Sequence, residues 1–238
     1  VTGDPDGDPP ASGDLPVVEP PFDGHAWDGS GGSATPASQV EESPIVGVVL
    51  AAGTSSRFGD QNKLLATWRG EPLVRHAART LRESAVDGVV VVTGHDRERV
   101  GAAVADLDVT VVHNDAYKTG QATTVRRGVA AVRDRNGAAA LIALGDMPFV
   151  AVESVDRLVA AYRASVGDAL AACCEGVRGN PVLFGDRHFD ALSDVAGDTG
   201  GREILLTDNR SVLVETGDDG VLADVDRQEE LERLRERR

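Results

Sequence analysis

A run of small residues with two cations close behind it is the part of this chain best equipped for chemistry. Ala52, Gly53, Thr54, Ser55 and Ser56 follow the apolar residues 46–51, and side chains this small let backbone N–H groups approach an anion closely. Arg57 and Lys63 bring positive charge to the same loop. The guanidinium can grip a phosphate with two hydrogen bonds, and the ammonium acts as a mobile point charge. Together these groups have the chemistry of a triphosphate cradle. The spacing fits neither G-x-x-x-x-G-K-[ST] nor G-x-G-x-x-G, so the P-loop and dinucleotide patterns do not apply. Taken alone, the stretch also reads as an ordinary strand-to-helix turn with two solvated cations.

Other chemistry-bearing residues lie further along. Asp146, in Leu144-Gly145-Asp146-Met147-Pro148, follows an apolar run. A carboxylate there suits a hard divalent cation, which takes one or two carboxylates and fills its remaining positions with phosphate oxygens and water. Asp224 and Asp226 lie near the end of a stretch read as the last strand, where period-two alternation sets both on one face. Asp226 is also suited to N-capping the helix that follows. No His or Cys spacing suggests zinc, and no G-x-S-x-G elbow suggests a serine hydrolase.

These residues need a frame, and the apolar pattern predicts one. Continuous apolar runs at 46–51, 88–92, 109–112, 139–144 and 169–174 read as buried strands. Helical spacing over 72–85, 121–132, 152–165 and 187–195 places helices between them, with a short helix opening at Arg202. Residues 211–215 and 221–226 read as closing strands and 228–238 as a charged helix. Such alternation predicts an α/β fold of three layers, Rossmann-like, with a mostly parallel central sheet and ligands beyond the carboxyl ends of its strands. Asp146 and the small-residue loop then face one crevice.

On these motifs the chain resembles the MobA-like nucleoside-triphosphate transferases, whose LA[AG]G-x-x-x-R-[FM]G-x-x-K signature is matched at Ala51, Ala52, Gly53, Arg57, Gly59 and Lys63. Further matches come in the family's order: LGDMP at Asp146, Gly120-Gln121 with Thr124, Asn180-Pro181-Val182-Leu183-Phe184, Gly197-Asp198-Thr199-Gly200-Gly201-Arg202, and LADVDRQEEL around Asp224. In the last of these Arg227 and Gln228 replace the usual Thr-Pro. The resemblance covers roughly residues 45–234 and implies a nucleotidyltransferase. In such an enzyme a substrate phosphate oxygen attacks the α-phosphorus of a nucleoside triphosphate and expels pyrophosphate. It further implies Mg²⁺ on Asp146 and Asp224, catalytic roles for Arg57, Lys63 and Asp146, and nucleotide contacts from Leu50, Ala51, Ala52, Gly53, Thr54, Gly94, Asn114, Gly120 and Thr124. Asn180, Pro181, Asp198 and Arg202 would meet the phosphorylated acceptor. LAAG with RFG resembles the branch that transfers CMP to molybdenum cofactor, with a molybdoenzyme as protein partner. A guanylyl transferase, a transferase for a sugar or isoprenoid phosphate, and a nucleotide-binding chaperone without turnover are the alternatives.

Composition bounds the rest. The 238 residues hold 39 acidic and 24 basic groups, a net charge of −15, which disfavours nucleic acid and anionic membranes as partners. There are 25 Asp, 22 Arg and only 2 Lys, a bias expected of a high-salt cytoplasm. Both lysines, Lys63 and Lys118, fall in motif loops. No signal peptide or membrane-spanning run is apparent, so a cytoplasmic protein is expected. The adjacent Cys173 and Cys174 point to opposite faces of a strand and read as core residues. Residues 1–43, rich in Gly, Pro, Asp and Ser, are expected to form a disordered acidic tail ahead of one domain over 44–238, removable without loss of stability. A start site set too far upstream would account for the tail equally well.

Overall fold

Residues 15–22, 43–55, 58, 61–197, 201–227 and 229–232 are described by the structure, a computed structural model. Arg57 and Asp198, two of the expected site residues, lie outside that set. The central sheet is built from β1 (Val17–Val18), β2 (Ile45–Ala51), β5 (Gly88–Thr93), β6 (Thr110–His113), β7 (Ala139–Leu144), β8 (Ala169–Cys174), β9 (Val177–Gly185) and β10 (Ser211–Glu215). A separate hairpin pairs β3 (Thr67–Trp68) with β4 (Glu71–Pro72). The eight strands run in the order β1-β10-β8-β9-β7-β2-β5-β6, and all pairings are parallel except those of β9 with β7 and β8.

Alternation along the strands decides what covers each face. On β2, Ile45, Val49 and Ala51 pack with Val74, Ala78 and Leu81 of α1 (Leu73–Glu83) and with Val100 of α2 (Arg97–Ala103), while Leu158 and Val159 of α4 (Val152–Arg163) belong to the same core. Val46, Val48 and Leu50 point the other way, toward Val125 and Val129 of α3 (Gln121–Arg133). Leu192 of α5 (Phe189–Asp194) and Leu205 of α6 (Arg202–Thr207) lie in that second core. Both faces are therefore apolar, which is why the strands read as unbroken Val, Ile, Leu and Ala runs. The close seat of α3 on the sheet needs Gly128, where an added Cβ would lie 2.6 Å from Val48 Cγ1.

Two expectations fail. Residues 221–226 form no strand: Asp219–Leu222 is a 3-10 turn, begun by Asp218 accepting from Gly220 N, and 223–226 continues without secondary structure. The apolar Val221 and Val225 imitate a strand pattern but serve two cores, Val221 under the sheet and Val225 in a satellite cluster with Phe58, Trp68, Leu73 and Leu231. The tail is the second case. Within 1–43, residues 15–22 sit on the domain: Val17 and Val18 pair with Leu213 and Val214, Pro16 O accepts from Leu213 N at 2.8 Å, and Leu15 is buried in the α3-side core. A two-residue strand has no period to detect, yet it covers the open edge of β10.

Gly128→Ala is expected to lower stability by about 1 kcal/mol or more in urea denaturation, because overpacking against Val48 outweighs the gain in helix propensity of about 1 kcal/mol. Deleting residues 1–22 should cost about 2 kcal/mol from the lost burial of Leu15 and the exposed edge, seen as a lowered melting temperature.

Candidate active site

A cleft of about 600 Å³ opens at the carboxyl ends of β2 and β7. Leu50, Ala52, Gly53, Thr54, Gly120 and Thr124 line it, as expected of a nucleotide site at the strand ends. Lys63 and Asp146 line it too, with Asp226 beside them.

Local hydrogen bonds fix Lys63 in place. Asn62 Oδ1 accepts from Leu64 N at 3.1 Å and caps the 3-10 turn Lys63–Leu65. Ser55 Oγ donates to the same Oδ1 at 3.1 Å and accepts from Lys63 N at 3.1 Å. Ser55 holds a left-handed φ of 56°, an unfavourable conformation for a side-chain residue that these bonds stabilise. Ser55 is thus tied directly to Asn62 and Lys63.

Lys63 Nζ lies 2.5 Å from Asp146 Oδ2 and 2.7 Å from Asp226 Oδ1. Burial alone would lower the lysine's pKa, but the two carboxylates outweigh it and hold the group above its ordinary value. Asp146 Oδ1 is buried without a hydrogen-bond partner. Val225 N donates to Asp146 O at 3.0 Å, which ties the C-terminal segment to the end of β7 and sets Asp224 and Asp226 on either side of a fully buried Val225. Asp224 is exposed as a residue, yet lost hydration of its carboxyl, followed by repulsion from Asp146 and Asp226, pushes its pKa upward. Of the pair, Asp226 and not the expected Asp224 lines the cleft and meets Lys63. At the helix start Glu230 reaches back, its Oε2 accepting from Asp226 N and Arg227 N, each at 2.9 Å.

Several expected contacts turn out to be supports. Ala51 is fully buried among the α1-side core residues. Gly94 does not line the cleft: a Cβ there would lie 2.6 Å from Tyr117 Cβ and 2.7 Å from Ala52 Cβ, so its missing side chain lets two lining segments close together. Asn114 is buried, donates from Nδ2 to Thr123 and Thr124 Oγ1 at 2.9 and 3.1 Å, and accepts from Ala116 N at 3.0 Å, which locks the segment leading into α3.

A smaller cleft of about 190 Å³ adjoins the first, sharing Leu50, Gln121 and Leu144. Asn180 and Arg202 line it. Pro181 does not, since strand alternation turns it to the opposite face of β9, where it is buried near Ala77 and Met147. Arg178, not singled out by any motif, joins Asn180 in the smaller cleft. Tyr117, Lys118 and Gln121 are further lining residues of the larger one; of these Lys118 stood out in sequence through the scarcity of lysine and Gln121 through the Gly120-Gln121 motif, and Tyr117 did not.

Residues 47–212 match the family described as the MobA-like NTP transferase domain. The chain is similar to the nicotine blue oxidoreductase of Paenarthrobacter nicotinovorans, 31% identical over 197 residues covering 80% of this chain and 96% of that protein. It is 31% identical over 201 residues to the purine catabolism protein PucB of Bacillus subtilis, with the same two coverages. Among solved structures, a Mycobacterium tuberculosis H37Rv protein in complex with manganese superposes with a TM-score of 0.66 at 25% identity, covering 81% of this chain and 98% of that one.

Gly94→Ala should weaken nucleotide binding at least about tenfold by driving Ala52 and Tyr117 apart, although residue 94 touches no ligand, and should cost about 1–3 kcal/mol of stability. Calorimetric titration with nucleoside triphosphate, alongside thermal unfolding, measures both.

Proposed function

The chain belongs to the MobA-like NTP transferase family, and on that premise we propose that it transfers CMP from CTP to a phosphorylated acceptor of the molybdopterin kind, releasing pyrophosphate. The observation that carries this reading is the ion triad of Lys63, Asp146 and Asp226 in a large cleft that a smaller one adjoins. The large cleft has room for a nucleotide, and the small one admits a second substrate at its side.

The residues present fit a divalent cation. Asp146 Oδ1 is buried and unpartnered, and Asp146, Asp224 and Asp226 together exceed the single charge of Lys63. Among the described residues no three His, Cys, Asp or Glu side chains are grouped to hold a metal by themselves, which suits Mg²⁺ held by one or two carboxylates and completed by phosphate oxygens and water. Asp146, with Asp224 or Asp226, would hold it. Such an ion, when bound, neutralises charge on the triphosphate and steadies its geometry. The neighbour solved with manganese is in keeping with a hard divalent ion.

Lys63 would exchange its carboxylate partners for phosphate oxygens and stabilise charge as it builds at the α-phosphorus. The backbone at 52–54 would cradle the phosphates, and Arg57 would bind the leaving pyrophosphate. Leu50, Ala52, Gly120 and Thr124 would border base and sugar, with the Ala52 methyl narrowing the site in favour of a pyrimidine. Catalysis by positioning and charge needs no protein nucleophile. A carrier without turnover has no use for a buried carboxylate oxygen left unpartnered beside a lysine, which favours the enzyme over a nucleotide-binding chaperone.

The test is pyrophosphate release over a panel of triphosphates and phosphorylated acceptors with Mg²⁺. CTP should exceed GTP in kcat/KM, and Asp146→Asn should lose at least about a hundredfold in kcat while keeping the wild-type melting temperature. Ala52→Gly should shrink the CTP preference by about 1–3 kcal/mol at most. A wild-type preference for GTP would overturn the cytidylyl assignment, and full turnover by Asp146→Asn would overturn the metal role.

A further inference from the structure

Several arginines of this protein are paired with carboxylates. Arg75 pairs with Asp106 and Glu71, Arg79 with Glu71, Arg133 with Asp190, and Arg187 with Asp168 and Asp208. With 39 acids against 24 bases, a carboxylate partner is easy to supply. The smaller cleft is different. Arg178 and Arg202 both line it, and among the described residues no carboxylate lines it with them or pairs with either.

Arg178 is half-buried, and its Nε is buried with no hydrogen-bond partner. Its place follows from strand alternation: Arg178, Asn180, Val182 and Phe184 are one face of β9, and all four line the cleft. Burial, and then the charge of Arg202, press the Arg178 pKa downward, so the two guanidiniums repel each other. Leaving a buried donor unpaired costs stability, and more so for a charged group. A fold that keeps two like charges together at an empty-handed donor is organised for an anion that arrives later.

We propose that Arg178 acts with Arg202 as a clamp for the dianionic phosphate monoester of the acceptor, a role that rests on reading the adjoining cleft as the site of nucleotidyl transfer. The clamp binds the nucleophile itself. An oxygen of the held phosphate forms a bond to the α-phosphorus, the bond from that phosphorus to the bridging oxygen of the β-phosphate breaks, and its electron pair leaves with pyrophosphate. Two guanidiniums match a dianion in charge and offer planar, forked donors that a lysine could not. They also offset the repulsion between an anionic nucleophile and a triphosphate, and so bring the reactants together. An acceptor whose reacting group is a neutral hydroxyl would gain nothing from this pair.

The test uses inorganic phosphate as probe on the full chain, by calorimetric titration of wild type, Arg178→Gln, Arg178→Lys and Arg202→Gln, with thermal unfolding of each. Arg178→Gln and Arg202→Gln should each weaken phosphate binding about tenfold or more, and Arg178→Lys should recover only part of the loss. Arg178→Gln should melt at or above the wild-type temperature without phosphate, since an unpaired charge is removed. A merely structural arginine would show the opposite, a lowered melting temperature with phosphate binding intact, and that result overturns the clamp. Should Arg178→Gln fail to fold, unchanged phosphate affinity in Arg202→Gln and Arg178→Lys overturns it equally. CTP titrated into the same variants separates the two readings: a wild type that binds phosphate through Arg178 but no nucleotide would sink the transferase proposal and leave the anion site standing.

Discussion

The bond between Lys63 and its two carboxylates holds together parts of the chain that are far apart in sequence. Asp226 reaches Lys63 across 163 positions, and Asp146 joins them from the end of a central strand. Each partner is fixed independently: Lys63 by the Ser55 and Asn62 lock, Asp146 by the end of β7, and Asp226 by the buried Val225 and the Glu230 cap. An ion pair alone at this partial exposure contributes little to stability. Its value is positional, because three supports converge to set Lys63 among several acids in a cleft.

That arrangement makes the satellite cluster of Phe58, Trp68, Leu73, Val225 and Leu231 more than spare packing. Trp68 meets His76 and Phe149 edge-on, each at 5.0 Å between ring centres, and the cluster joins the phosphate loop, the small hairpin and the C-terminal segment. The sheet supplies the floor of the site, while this third, smaller core sets the height of its acidic wall.

What could be read from sequence follows how local each signal is. Strands β7, β8 and β10 have the expected bounds because an apolar run buried on both faces is written wholly in its own residues. Lys63 and Asp146 were legible through motif loops at strand ends. The choice of Asp226 over Asp224 was not, because alternation presumes a strand, and the chain there leaves a 3-10 turn instead. Gly94 and Asn114 lie at the correct strand ends but act on neighbouring segments, a distinction that only packing reveals. Arg178 was invisible as one of 22 arginines, since what marks it is an unpartnered Nε buried beside the smaller cleft, which only the folded chain shows. The short edge strand β1 lacked any period at all.

The reversal of β9 has a consequence for how such a site can diversify. Every parallel strand delivers its last residues to the ligand edge of the sheet, but β9, running the other way, delivers its first. Its entry is a tight hairpin from β8 through Glu175 and Gly176, both exposed and both at positive φ. The residues facing the second cleft are therefore only a few positions from a solvent-exposed turn and are not anchored behind a crossover helix. Lengthening or recasting that turn can refashion the smaller cleft while the loop after β2, on a different strand, keeps its register. The fold separates a cleft built on the loop after β2 from one open to change at a surface turn, and it does so with a single strand running against the rest.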